Sequence, residues 1–301
     1  MPSTPATYCV IPVHNRRETT RRCLAHLQAL DIPSWARVLV VDDGSSDGTG
    51  AMIQSEFPWV ELLHGSGDLW WAGAIHQGMR HAIAKGADCI CWLNDDCLPD
   101  AHTLPLLVAA ATSRGAICGA VCGAVCRGTD GRQMAYGGGF ITDSWPAPLH
   151  EPLPSENAIP VHWLHGNLVA IPAAAWRRIG LPEYRCMRHN LSDIDYTHLA
   201  HRCGIPVLLL SAATAVTEIN ENLSYRSWAA PETTAWDILA GLWHPRVWWY
   251  APGLACFLFR LLGWRAAAAC LRFSFKLAAA VVVKCLLPPR WVSSLKKARA
   301  A

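Results

Sequence analysis

The stretch Arg37–His64, RVLVVDDGSSDGTGAMIQSEFPWVELLH, decides the fold. It opens with an apolar run that stops at two aspartates. SDGTGAMIQSEF then reads as a helix begun by a Ser/Asp cap, and WVELLH as a second strand. The same alternation extends on both sides. TYCVIPV precedes it as a strand, and residues 16 to 30 carry Cys23, Leu24, Leu27 and Leu30 at helical spacing. WAGAIHQGMRHAIAKG follows as a helix ended by Gly86, and DCICWLN as a further strand. Nearly continuous apolar strands separated by helices predict an α/β fold, a mainly parallel, doubly wound sheet covered on both faces. In such sheets ligands bind outside the carboxyl ends of the strands.

That rule brings distant residues to one edge. Pro12, His14 and Asn15 end the first strand, Asp42 and Asp43 the second, and Asp95 and Asp96 the strand near residue 93. The expected site holds four carboxylates and a histidine. Adjacent carboxylates such as Asp95 and Asp96 repel, and at a buried strand end each also loses hydration. The pair therefore needs a compensating partner, for which a divalent cation is one candidate. Residues 115 to 225 are less regular, with a glycine stretch YGGGF, a strand VHWLHGNLVAIP and a short helix AAAWRRIG. In HNLSDIDYTHLAHRCGIPVLLL, Asp193 and Asp195 open a helix, where the dipole favours carboxylates; capping alone explains one of the two.

The 301 residues are 52% hydrophobic and 16% charged, enough for a full core and an appendage. From Ile238 onward there are ten Lys or Arg and no Asp or Glu, which leaves sixteen basic against all 23 acidic side chains before it, a net charge of −7. An acidic body thus carries a basic, apolar tail. The opening MPSTPATYCVIPVHN has no basic stretch followed by an apolar one, so the thirteen cysteines read as reduced thiols of a cytoplasmic protein. Cys118, Cys122 and Cys126 in ICGAVCGAVCRG suit either a zinc or iron–sulfur site or one apolar face of a strand shared with Ala120 and Ala124. The second reading is favoured, because no fourth ligand sits at a recognised spacing.

VIPVHNR, VVDDGSSDGT, WLNDD, and HGNLVAIPAAAWRRIGLPE followed by SDIDY together resemble, in order, the nucleotide-sugar glycosyltransferases of family two, which have the GT-A fold and invert the anomeric centre. The resemblance covers residues 8 to about 210. It implies a nucleoside-diphosphate sugar as donor and a Mg2+ or Mn2+ ion on its phosphates. By resemblance Asp96 ends the DXD motif and ligates the metal, while Asp95 orients the ribose or the metal shell. Asp43 accepts from the base, with Pro12, His14 and Asn15 around it. Asp193 is the catalytic base and Asp195 the reserve. Trp71, beside Trp70, stacks on sugar or base or packs in the core. Ile75-His76 stands where relatives often carry Arg-Asn, with Arg80 one turn on. Glu218 or Asn220 stands where many relatives have a metal-binding histidine.

The expected organisation is a catalytic domain over residues 1–230, split into a nucleotide-binding half (1–112) and an acceptor half (113–230), with a basic amphipathic helical region over 231–301. The longest charge-free run near the centre of that tail, Val247 to Phe259, has 13 residues, short of the roughly 18–20 needed to cross a bilayer. At about 100° per residue Arg265, Arg272 and Lys276 share one face. The tail therefore reads as a peripheral anchor on an anionic, cytoplasmic membrane surface, or else as a packing element or homodimer contact. Expected partners are the nucleotide-sugar donor and a lipid-linked or cell-surface glycan acceptor, with no nucleic acid. The competing readings are a catalytically inactive nucleotide-sugar-binding protein and a nicotinamide dehydrogenase. The latter is set aside because GSGDLWWAG follows the third strand and lacks the G-x-G-x-x-G spacing.

Overall fold

Apolar alternation sets the architecture of the computed structural model, which describes residues 5–113, 119–129, 134–141, 149–150, 158–218 and 233–286. The first half runs β1 (Thr7–Val13), α1 (Arg17–Ala29), β2 (Ala36–Asp42), α2 (Thr49–Glu56), β3 (Glu61–His64), α3 (Trp70–Ala84) and β4 (Cys89–Leu93). Successive β1 side chains point to opposite faces. Cys9, Ile11 and Val13 enter a core with Leu24 and Leu27 of α1 and Ile53 of α2, while Tyr8 and Val10 enter another with Ile75 and Met79 of α3. β1 pairs in parallel with both β2 and β4, so the chain reverses direction across the sheet there. The ends of β1, β2 and β4 share one edge, as expected.

The second half adds β5 (Cys97–Pro99), α4 (Thr103–Thr112), β6 (Val121–Arg127), β7 (Met134–Tyr136), β8 (Gly138–Ile141), β9 (Leu149–His150), β10 (Ala158–Pro160), β11 (Trp163–Leu164), β12 (Leu168–Pro172), α5 (Ala173–Ile179), α6 (Ser192–Arg202) and β13 (Val207–Thr217). Among the described residues the main sheet has the order β10-β13-β6-β12-β4-β1-β2-β3. VHWLHGNLVAIP is divided rather than one strand. A turn at Gly166 and Asn167 separates β11, in a small sheet with β8 and β9, from β12 in the main sheet. β12 is antiparallel to β4, with Leu168 opposite Leu93, so that turn lies beside the end of β4. Cys122 and Cys126 are buried on the β6 face that carries Ala120 and Ala124, as small apolar filler. Cys118 lies outside the described residues.

The chain forms two compact units, residues 1–185 with 192–219, and residues 186–191 with 220–301. The boundary expected at residue 230 falls outside the described residues. In the second unit α7 (Ala235–Gly241) begins with a reciprocal cap between Thr234 and Asp237. α8 (Ala251–Leu262) ends at Gly263, with φ +58°, and α9 (Ala266–Leu286) follows a single 3-10 turn. Trp249 is buried and donates to the Ile238 carbonyl at 3.2 Å. Taken together, Ala251–Leu286 is a 36-residue helical stretch long and apolar enough to cross a membrane by length and composition. The charge-free run stops at 13 residues because isolated basic residues interrupt it, while the longer window keeps its apolar character.

Candidate active site

The residues that directly follow β1 and β2 bind the two loops together. His14 Nδ1 lies 2.6 Å from the Asp43 carbonyl and Nε2 lies 3.0 Å from Asn15 Nδ2. One tautomer serves both contacts, with Nδ1–H donating and Nε2 accepting. Asn15, at φ +52°, donates its backbone N–H to Ser45 Oγ and accepts from Ser46 N. The Asp43 carboxylate accepts three backbone N–H groups, from Gly67 at 2.7 Å, Leu69 at 2.8 Å and Trp70 at 2.9 Å. It is buried, and its partners are two residues of the loop that leads into α3 and the first residue of that helix. A Cβ at Gly65 would lie 2.7 Å from Asp43 Oδ1, so glycine is required for that approach. Asp42 Oδ1 accepts Ser45 N and closes the turn after β2.

The Asp95–Asp96 pair has its compensating cation within the chain. Arg16 places Nη1 3.1 Å from Asp95 Oδ1 and Nη2 3.0 Å from Asp96 Oδ2. Thr20 of α1 donates to Asp95 Oδ2 at 2.9 Å, so both oxygens of Asp95 are engaged. Burial pushes the Asp95 carboxyl up to about 6, with Arg16 opposing and Asp96 adding to the shift. Burial works against the Arg16 charge, yet the carboxylates of Asp95, Asp96 and Glu218 outweigh it and raise its pKa. Asp96 Oδ1 is buried and accepts no hydrogen bond among the described residues. Such an oxygen costs on the order of 1–3 kcal/mol and is the hard anionic donor that Mg2+ or Mn2+ prefers. The residues fit a divalent cation at that oxygen. β13 pairs with β5 so that Thr217 faces Cys97, and continuing the register brings Glu218 to the level of Asp96. Glu218 is ion-paired with Arg22 at 2.6 Å, and Asn220 lies outside the described residues.

The second carboxylate centre is at the start of α6. Asp193 is half-buried, with Oδ2 accepting Gly166 N at 2.7 Å and Oδ1 accepting Ile194 N at 2.9 Å. Asp195 is buried, so Asp193 is the more accessible of the two. Trp71 connects this centre to the other. Its Nε1 donates to Asn94 Oδ1 at 2.8 Å, and a Cβ on Gly166 would meet its ring at 2.5 Å. Trp71 also packs edge-to-face on buried Trp92, whose ring lies 5.3 Å from that of Tyr196; such pairs contribute about 0.5–1.5 kcal/mol each. His76 is engaged with the Pro182 carbonyl at 2.9 Å and the Tyr184 ring at 4.5 Å. Trp70, at φ +57°, donates Nε1 to Asp68. Sequence reasoning missed Arg16, Thr20, Asn94 and Gly166 as site residues. The available signal was the arginine pair Arg16-Arg17 after VIPVHN and the Gly-Asn turn within an apolar run.

The sheet that reverses at β1 and β4, extended through antiparallel β12, is the GT-A fold of nucleotide-sugar transferases. The chain belongs to glycosyl transferase family 2, whose family model matches residues 8–178, more than half of its length. It is 33% identical over 104 residues to an undecaprenyl-phosphate mannosyltransferase from Micrococcus luteus. That match spans 34% of this chain and 42% of the relative, so it covers less than half of the relative's length. The mannosyltransferase PcManGT from Pyrobaculum calidifontis, in complex with GDP-Man and Mn2+, superposes with TM-score 0.58 at 16% identity, over 99% of this chain and 81% of that one. Staphylococcus aureus TarS 1-349 in complex with UDP-GlcNAc superposes with TM-score 0.56 at 15% identity, over 92% and 81%. At these identities the structural similarities speak for the fold alone.

Proposed function

We propose that the chain catalyses inverting, metal-dependent transfer of a hexosyl or deoxyhexosyl group from a nucleoside-diphosphate sugar to a hydroxyl of a lipid-linked or cell-surface glycan. The observation that carries this reading is the connection of two unlike carboxylates through one indole. Trp71 hydrogen-bonds Asn94, next to the Asp95–Asp96 pair, and lies against Gly166, whose amide Asp193 holds. Asp96, with its open buried oxygen, suits the donor side. A bound Mg2+ or Mn2+ ion supplies electrostatic stabilisation of the charge that develops on the leaving diphosphate. Asp43 fixes the loop before α3, and with Pro12, His14 and Asn15 it forms the nucleoside side of the site. Asp193 accepts one hydrogen bond on each oxygen and keeps lone pairs for an acceptor hydroxyl. As general base it takes that proton while the oxygen attacks the anomeric carbon opposite the leaving group.

The acceptor reading rests on the second unit. On α9 the inward face carries Ala266, Ala269, Phe273 and Leu277, and the opposite face presents Leu271, Phe275, Val282 and Leu286 to solvent, continuing the side of exposed Trp264. Trp264 is 83% and Phe275 76% exposed. At about 100° per residue the outward apolar residues fall within about 60° of one another, bordered by Arg265 and Arg272. An apolar stripe edged by guanidinium groups suits an anionic lipid surface better than water. We therefore place the enzyme at the cytoplasmic membrane surface, where lipid-linked acceptors are found.

The reading is tested with Asp193→Asn and a panel of GDP-, UDP- and dTDP-sugars in the presence of Mn2+, GDP-mannose first because two of the similar proteins are mannosyltransferases. The variant should keep its melting temperature and donor binding while transfer falls about 100-fold or more. Retention of more than about a tenth of the rate would exclude Asp193 as the base and move the test to Asp195.

A further inference from the structure

We propose that Arg16 couples metal binding to donor binding: its guanidinium occupies the Asp95–Asp96 pair in the free enzyme and passes to the diphosphate when the nucleotide arrives. The inference rests on the metal-dependent reading above and adds to it a residue that the reading does not use. Arg16 stands just before α1, with φ −138° and ψ 44°, so its backbone is not held at a helical position. Its fork spans the pair, one nitrogen to each carboxylate. Exposure rises outward through the trio, from 2% for the Asp95 side chain and 15% for Asp96 to 37% for Arg16. The carboxylates are fixed in the protein, and the cation is the member that can move without opening the core.

Charge then dictates an order of events. A divalent cation at Asp96 Oδ1 meets a guanidinium on the other oxygen of the same carboxylate, and like charges at that range oppose its entry. A nucleoside diphosphate presents several anionic oxygens in the geometry an arginine fork recognises best. Transfer of Arg16 to those phosphates frees Asp96 for the metal and places a positive charge on the leaving group. In the segment where Ile75-His76 stands, His76 is held by the Pro182 carbonyl and the Tyr184 ring. Metal and nucleotide therefore bind with positive cooperativity, by the reciprocity that any such coupling obeys.

The test titrates Mn2+ by electron paramagnetic resonance into the full chain, with and without saturating GDP or UDP, for wild type, Arg16→Gln, Arg16→Lys and Asp96→Ala. Without nucleotide, Arg16→Gln should bind Mn2+ at least tenfold more tightly than wild type. Arg16→Lys keeps the charge and should stay near wild type. With nucleotide, wild type should gain at least tenfold and Arg16→Gln less than threefold. Equal or weaker Mn2+ binding by Arg16→Gln without nucleotide overturns the proposal and leaves Arg16 a structural clamp. If Arg16→Gln does not melt cooperatively, Arg16→Lys decides, since it cannot fork to both carboxylates: its nucleotide-dependent gain must fall below that of wild type, and an undiminished gain overturns the proposal. A different outcome, wild type and Asp96→Ala alike in binding no Mn2+ with either nucleotide, overturns the metal reading itself.

Discussion

Gly166 donates its backbone N–H to Asp193 Oδ2 at 2.7 Å, and a Cβ on Gly166 would stand 3.0 Å from the Cβ of Asp193 and 2.5 Å from the ring of Trp71. The turn between β11 and β12 thus has room for an amide and for nothing else. Gly166→Ala should displace Trp71 or the start of α6, cost about 1–3 kcal/mol of stability by overpacking, and lower the transfer rate at least tenfold. Nucleotide affinity, which the proposed reading sets on the other side of Trp71, should change little. Thermal melts and steady-state kinetics check this, and an unaltered rate would show that the contact does not govern catalysis.

Asp43 organises a loop through three backbone donors. Asp43→Ala removes the acceptor of all three and should cost on the order of 3 kcal/mol. Hydrogen exchange localises the effect: the amides of Gly67, Leu69 and Trp70 should exchange at least tenfold faster, and those of β1 and β2 should be affected less. Uniform acceleration across the sheet would mean that Asp43 supports the fold rather than the loop.

His198 sets an acid limit on stability. Burial holds its imidazole down, to about 4, beside the His162 carbonyl, the rings of His162 and His201, and Arg202. Its folded value lies below that of the unfolded chain, near 6.5, so the unfolded state takes up the proton first. The stability linked to this group is complete above about pH 6.5 and is lost as pH falls through that value toward 4. His198→Gln cannot titrate, so its melting temperature should fall less than that of wild type between pH 7.5 and 4.5. Parallel curves for the two proteins would remove His198 as the cause.

The outward stripe of α9 gives a prediction without truncation. Leu271→Glu and Phe275→Glu change exposed positions, so each should leave the melting temperature within about 1–2 °C. Both should reduce flotation of the full chain with vesicles rich in phosphatidylserine, the double variant most. Flotation of wild type should weaken with salt, because Arg265 and Arg272 act through a screened attraction. A double variant that floats as well as wild type would assign the stripe to another contact.

The strands and helices from β1 to β4 were legible because each has a single period and the sheet is buried on both faces. Asp193 was legible as a helix-opening carboxylate for the same local reason. What could not be read depends on distant residues meeting. Arg16 and Asp96 are 80 positions apart, and no periodicity signals that a cation will stand between two carboxylates. The split of VHWLHGNLVAIP was marked by Gly166 and Asn167, yet the surrounding apolar residues read as continuous because β11 and β12 are both buried. In the tail, run length stops at each charge, whereas a bilayer responds to the composition of a longer window, so the two measures of the same residues differ.

In the proposed reaction Trp71 acts as a rigid gauge between the two halves of the chemistry. One edge of the indole is bonded to Asn94, beside Asp95 and Asp96, and another rests on the turn that holds Asp193, so their separation is fixed by the dimensions of an aromatic ring. Surface loops that select the sugar or the glycan can then change length and sequence without altering the attack distance. Redesign of acceptor choice in this chain should begin in those loops, because shrinking this single ring would slow every substrate alike.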